Sequence, residues 1–121
     1  MNVLVWTGVI LAGGAGAVAR FLLDGIVSSA AGKSFPYGTL AVNVSGAVIL
    51  GLLTGLALSD NAALIIGTGI VGSYTTFSTW MLETQRMAEE RQHLRAIGNV
   101  VVSLVLGVAA AALGNAIGAH L

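Results

Sequence analysis

Apolar residues fill this chain in four long blocks, 1–19, 34–59, 61–82 and 96–121, none of which contains Asp, Glu, Lys or Arg. Each block is close to the roughly 20 residues that a helix needs to cross the hydrocarbon core of a bilayer. The pattern predicts four transmembrane helices, over about 3–23, 37–58, 62–82 and 97–117. The charges lie between the blocks: Arg20, Asp24 and Lys33 after the first, Asp60 after the second, and a mixed run from Glu83 to Arg95 after the third. The only proline, Pro36, suits the first turn of helix 2, where a missing N–H loses nothing. Asp60 or Asn61 is a suitable N-cap for helix 3. The first block has no basic residue ahead of its apolar run, so it is read as a retained helix and not as a signal peptide.

Within the blocks, small and polar residues recur at four-residue spacing. Helix 1 has Gly8, Ala12, Gly16 and Arg20; helix 2 has Thr39, Asn43, Ala47, Gly51 and Gly55; helix 4 has Asn99, Ser103, Gly107, Ala111 and Asn115. Residues four apart share a helix face, so each of these helices carries a seam that a neighbour can approach closely. Packing accounts for most of the glycines and alanines. The amides and hydroxyls are a different matter, because an unsatisfied polar group in lipid is expensive.

The densest polar run is Gly72-Ser-Tyr-Thr-Thr-Phe-Ser-Thr-Trp80, inside the third apolar block. Its hydroxyls, with Asn43, Asn99 and Ser103, outline a polar track. Gly67, Gly69 and Gly72 precede a run containing three threonines, which are poor helix formers, so helix 3 is expected to break near its middle. A broken helix exposes carbonyls, which makes a carbonyl-bound sodium or a fixed dipole site plausible near 72–76. Phe77 and Trp80 can place their rings beside the cluster, with the positive ring edge open to an anion. They can equally serve as packing or lipid-facing aromatics. Arg20 can attract anions into a vestibule or simply snorkel to the interface.

Composition agrees with a single transmembrane domain over 1–121: 56% of residues are hydrophobic and 8% charged, and the mean hydropathy is +0.93. The absence of cysteine excludes disulfides and thiolate metal sites. A net charge of zero with no basic patch argues against nucleic acid. No Asp, Glu, Lys, Arg or His lies deep in a predicted span, whereas proton-coupled transporters use an intramembrane carboxylate or histidine. His93 and His120 are peripheral, and no nucleophile is paired with a base, so an enzyme is not expected. Passive permeation of a small ion or solute remains. A small multidrug or proton-coupled exporter is the alternative, weakened by the missing carboxylate. A purely structural membrane subunit is weakened by the polar run.

Three segments, Gly13-Gly-Ala-Gly-Ala-Val-Ala-Arg20-Phe, Gly38-Thr-Leu-Ala-Val-Asn43-Val-Ser-Gly46 and Gly72–Trp80, resemble in order and spacing the signatures of the Fluc (CrcB) fluoride channels. The likeness spans nearly the whole chain. It implies an all-α, dual-topology dimer of antiparallel four-helix subunits in a bacterial or archaeal cytoplasmic membrane. Two fluoride pores would lie at the subunit interface, around a central structural sodium ion. Carried over by position, Phe77, Asn43, Ser103, Thr79, Ser78 and Trp80 would line the fluoride pore and Arg20 its vestibule. Gly72 and Thr75 would give backbone carbonyls to sodium. Export would be electrodiffusive. Trp80 departs from the family, which usually has a second phenylalanine there, and Asn99 stands where a larger ring residue is common.

Four spans put all five Lys and Arg residues on one side, at Arg20, Lys33, Arg86, Arg91 and Arg95. The positive-inside rule then favours both termini outside. A dual-topology homodimer would prefer a balanced count. The partner is therefore expected to be an inverted second copy, or a paired homologous subunit if the asymmetry dictates orientation.

Overall fold

The structure, a computed structural model, describes residues 2–121, and the regular elements among them are all helical. Helix α1 runs over Val3–Ala31 and α2 over Tyr37–Leu56. The third helix, α3, is composite: an α turn at Asp60–Ala62, a π-helix over Ala63–Val71 and a last α turn at Gly72–Tyr74. Residues 75–77 leave the helix, after which α4 (Ser78–Glu89) and α5 (His93–Ala119) complete the chain. Three helices, α1, α2 and α5, are individually long and apolar enough to cross a membrane. The remaining predicted span, 62–82, is divided between α3 and α4. At 20 residues, α2 is about 30 Å long, the thickness of the hydrocarbon core.

Several boundaries differ from those read off the sequence. α1 continues past 23 because Asp24 stays helical, its carboxylate accepting a hydrogen bond from Ser28 Oγ one turn later at 3.2 Å. It ends at Gly32, whose φ of 85° suits glycine and whose N–H bonds to Ser28 O. Ser59, and not Asp60 or Asn61, caps α3: its hydroxyl accepts the Ala62 N–H at 3.3 Å. Pro36 sits at the N-cap of α2, with its carbonyl accepting the Leu40 N–H at 3.1 Å.

Small residues let the helices meet. The Gly8–Ala12–Gly16 seam of α1 lies on α3: a Cβ at Gly8 would stand 3.1 Å from Ile65, and one at Gly16 would collide with Ser73 and the Ile70 carbonyl. The most extensive contact in the molecule joins α2 to α5. There Gly51 and Gly55 abut the backbone at Ala111 and Asn115, while Gly114 and Gly118 abut the backbone at Val48 and Leu52. The predicted seam of α5 is thus split. Its Ala111 and Asn115 end packs on α2 together with Gly114 and Gly118, whereas Gly107 has open space beside it.

At the opposite end of α2 the charged residues gather. Asp24, Lys33, Glu83, Arg86, Glu90 and Arg95 border a cavity of about 590 Å³. Arg95 Nη1 donates to Ser34 O at 3.1 Å, tying the start of α5 to the α1–α2 loop. Glu83, just beyond the predicted span, has a buried Oε1 without a hydrogen-bond partner. Desolvation raises its pKa above the ordinary carboxylate value, helped by nearby Asp24 and opposed by the Thr39 hydroxyl and Arg86.

Two predictions follow from this packing and burial. Gly114→Val should destabilise the protein by about 1–3 kcal/mol, because backbone blocks the new side chain. Gly98→Ala, with nothing within 4 Å of the added atom, should stabilise it by about 0.5–1 kcal/mol through helix propensity. Thermal unfolding in detergent, followed by size-exclusion chromatography, reads both signs. A raised Glu83 pKa means that the folded state holds its proton more tightly than the unfolded chain. Stability should therefore fall as pH rises from the ordinary carboxylate pKa through the folded-state value, and Glu83→Gln should flatten that part of the profile.

Candidate functional site

The site is built on the interruption between α3 and α4. Thr75 N–H still bonds to Val71 O at 3.0 Å, but Thr75 itself is extended, at φ −79° and ψ 159°. The backbone of the next residue is taken over by a side chain. Asn43 Nδ2 donates to Thr76 O at 2.8 Å, and Thr76 N–H donates to Asn43 Oδ1 at 2.8 Å. An amide has the donor and acceptor geometry of a peptide group, so Asn43 supplies across the helix gap what the broken helix cannot supply to itself. The Thr76 hydroxyl then restarts the chain as α4, accepting the Thr79 N–H at 3.2 Å and donating to Thr79 Oγ1 at 3.0 Å. Gly46 permits the approach, since a Cβ there would collide with the Thr75 methyl group.

In a continuous helix, Thr76 N–H would bond to Gly72 O. With that donor held by Asn43, the Gly72 carbonyl is released. The Thr75 carbonyl accepts one long bond, 3.4 Å, from Arg20 Nη1, and a carbonyl oxygen has a second lone pair. Among the described residues no group of three His, Cys, Asp or Glu side chains could hold a metal ion. Released backbone oxygens are the donors this region offers, and they suit a hard cation. Two carbonyls alone are too few for such an ion.

A groove of about 470 Å³ runs along this break. Asn43, Gly72, Thr75, Thr76, Phe77 and Trp80 line it from α2, α3 and α4, and Ser103 and Gly107 from α5. Phe77 is 70% exposed. Its ring meets that of Trp80 edge-on, with centroids 5.8 Å apart and planes at 85°. Trp80 is anchored from behind: its indole Nε1 donates to Asn99 O at 3.1 Å. Asn99, 1% exposed, returns bonds from Nδ2 to Thr84 Oγ1 at 2.9 Å and to Trp80 O at 3.5 Å. Ser103 Oγ is buried and has no hydrogen-bond partner.

The groove therefore gathers Asn43, Phe77, Trp80 and Ser103, together with Gly72 and Thr75, from the residues singled out in the sequence. Arg20, Ser78 and Thr79 do not line it. Arg20 reaches the Thr75 carbonyl, Thr79 completes the cap of α4, and Ser78 is exposed. Sequence reasoning placed Thr76 within the polar run but gave it no role of its own, whereas it both receives the Asn43 clamp and starts α4. The Thr76-x-x-Thr79 spacing is a cap signature that could have revealed it. The tie between Asn99, Thr84 and Trp80 left no local pattern, because it joins residues of two helices.

Comparison with known proteins agrees with this arrangement. The family described as CrcB-like protein, Camphor Resistance (CrcB), matches residues 7–115. A protein of Mycobacterium bovis named fluoride-specific ion channel FluC 2 is 59% identical over 115 residues, covering 95% of this chain and 91% of its own. One of that name from Mycolicibacterium paratuberculosis is 61% identical over 114 residues, covering 94% and 93%. A fluoride-specific ion channel FluC 1 of Leifsonia xyli is 48% identical over 118 residues, covering 94% and 86%. None of these names lends support to the exporter alternative. A family match over most of the length, on a helical membrane scaffold, makes this chain a member of the CrcB family.

Proposed function

We propose that this chain is a subunit of a fluoride-selective channel that lets fluoride leave the cell passively across the cytoplasmic membrane. The observation that carries this reading is the groove at the helix break. Its lining includes Ser103, whose buried hydroxyl has no partner, Asn43, which has a second amide N–H, and the Phe77 ring, and it contains no titratable side chain. Donors without a proton carrier suit a small anion moving down its gradient. Fluoride, a compact and strong hydrogen-bond acceptor, gains most from such donors, and the similar proteins bear its name.

Closure of the groove requires a partner. Phe77 is a large, exposed ring at mid-chain, and the groove is open along one side. An inverted second subunit would cover it and, by symmetry, form a second pore. Arg20 is engaged with the Thr75 carbonyl inside the bundle. Lys33, Arg86, Arg91 and Arg95 are then the basic residues left at one end, with none at the other. Such a bias opposes free insertion in both orientations; the partner we infer is an inverted second copy, with a paired homologue of opposite bias as the alternative. At the centre of the pair, the Gly72 and Thr75 carbonyls from each subunit would hold a structural sodium ion, whose charge would fix the two breaks against each other.

Purified protein in liposomes should release loaded fluoride rapidly while retaining chloride as empty vesicles do. Fluoride release no faster than from empty vesicles would overturn the assignment. Phe77→Ile should lower fluoride flux by about tenfold, as expected from losing roughly 1.5 kcal/mol of ring-edge stabilisation. Replacing sodium by a large organic cation during purification should lower the midpoint of thermal dissociation of the dimer. An unchanged midpoint would remove the proposed sodium site.

A further inference from the structure

Hydroxyls on the helices of this protein generally satisfy themselves locally. Thr7 donates to Val3 O, Ser73 to Gly69 O, Thr75 to Val71 O and Thr84 to Trp80 O, each four residues back. This is the ordinary behaviour of Ser and Thr in a membrane helix. Ser103 does otherwise: its Oγ is buried and unpartnered although it lies mid-helix in α5.

The acceptor four residues behind Ser103 is Asn99 O. In the continuous helix that oxygen takes the Ser103 N–H, and its other lone pair takes the Trp80 indole N–H at 3.1 Å. Both acceptor positions are thus filled. The serine hydroxyl does not turn to Val100 O either, and Ser103 is one of the residues lining the groove that also contains the Phe77 and Trp80 rings. The Asn99 side chain secures the arrangement by bonding to Thr84 Oγ1 and Trp80 O, which keeps the indole at the Asn99 carbonyl.

We propose that Trp80 is a positioning residue for anion recognition: by occupying the Asn99 carbonyl, its indole N–H keeps the Ser103 hydroxyl free to donate to a small anion in the groove. The indole N–H is consequently not itself an anion donor. A phenylalanine at this position could preserve the edge contact with Phe77 but could not occupy the carbonyl. The inference rests on the groove being the fluoride path.

A double-mutant cycle tests it. Fluoride efflux from liposomes is measured for the native protein, Trp80→Phe, Ser103→Ala and the double variant, each first checked for dimer elution and helix content. With the indole present, Ser103→Ala should reduce flux by about tenfold, the loss expected for a hydrogen bond to a charged species. With Trp80→Phe the serine hydroxyl closes onto Asn99 O, so flux falls and the added Ser103→Ala change should cost less than about twofold. Equal effects of Ser103→Ala in both backgrounds would show that Trp80 only packs, and would overturn the proposal. So would native flux in Trp80→Phe. Should Trp80→Phe fail to fold, incorporation of 3-benzothienylalanine at position 80 keeps the bicyclic shape, replaces N–H by sulfur and must give the same non-additivity. Native protein that conducts with an additive cycle sinks this inference alone; native protein that does not conduct fluoride sinks the channel reading with it.

Discussion

The pairing of one side-chain amide with the backbone of one residue, Asn43 with Thr76, is the interaction on which the rest of the site depends. A helix that breaks at membrane depth leaves N–H and C=O groups without partners, and each costs several kcal/mol in lipid. Asn43 answers both backbone groups of Thr76, its N–H and its C=O, at 2.8 Å. With that residue fixed, the Gly72 carbonyl is released on one side and α4 can start from the Thr76 hydroxyl on the other. Remove the amide, and the Thr76 N–H and C=O lose their partners, so the break is no longer held in one conformation. Phe77 and Trp80 would then lose their fixed positions.

The small-residue seams make this arrangement possible. α1 packs directly on the π-helical part of α3 through Gly8, Ala12 and Gly16, and α2 packs on α5 through paired glycines. These contacts hold α2 in place, so Asn43 has a fixed position from which to reach the break. Gly46, one turn below Asn43, admits Thr75. Where the seam of α5 stops packing, at Ser103 and Gly107, the groove begins. One periodic pattern therefore serves two purposes along a single helix: close packing at one end and an open polar wall at the other.

The sequence made the apolar blocks, the small-residue seams and the break near Gly72–Thr76 readable, because each depends on local spacing or on helix propensity. It could not show that α3 widens into a π-helix, nor that Ser59 and not Asp60 caps it, since both depend on competing hydrogen bonds of similar strength. At the site, Asn43 and Phe77 stood out as polar or aromatic residues in conspicuous settings. Their relation to Thr76 and Trp80 did not, because it is a contact between elements. Trp80 and Asn99, which the resemblance left without a clear counterpart, are one feature in the structure: the indole at position 80 reaches the backbone at position 99.

The most direct test of this account is backbone amide hydrogen exchange across 72–80 in the reconstituted protein, read for Asn43→Leu against the native chain. Leucine keeps the γ-branched shape of asparagine, in a somewhat larger side chain, and removes both hydrogen bonds to Thr76. The account predicts that the Thr76 amide, protected in the native protein, loses protection by roughly tenfold or more, while α2 and α5 stay protected and fluoride flux is abolished. An unchanged Thr76 amide, or full fluoride flux in Asn43→Leu, would contradict it.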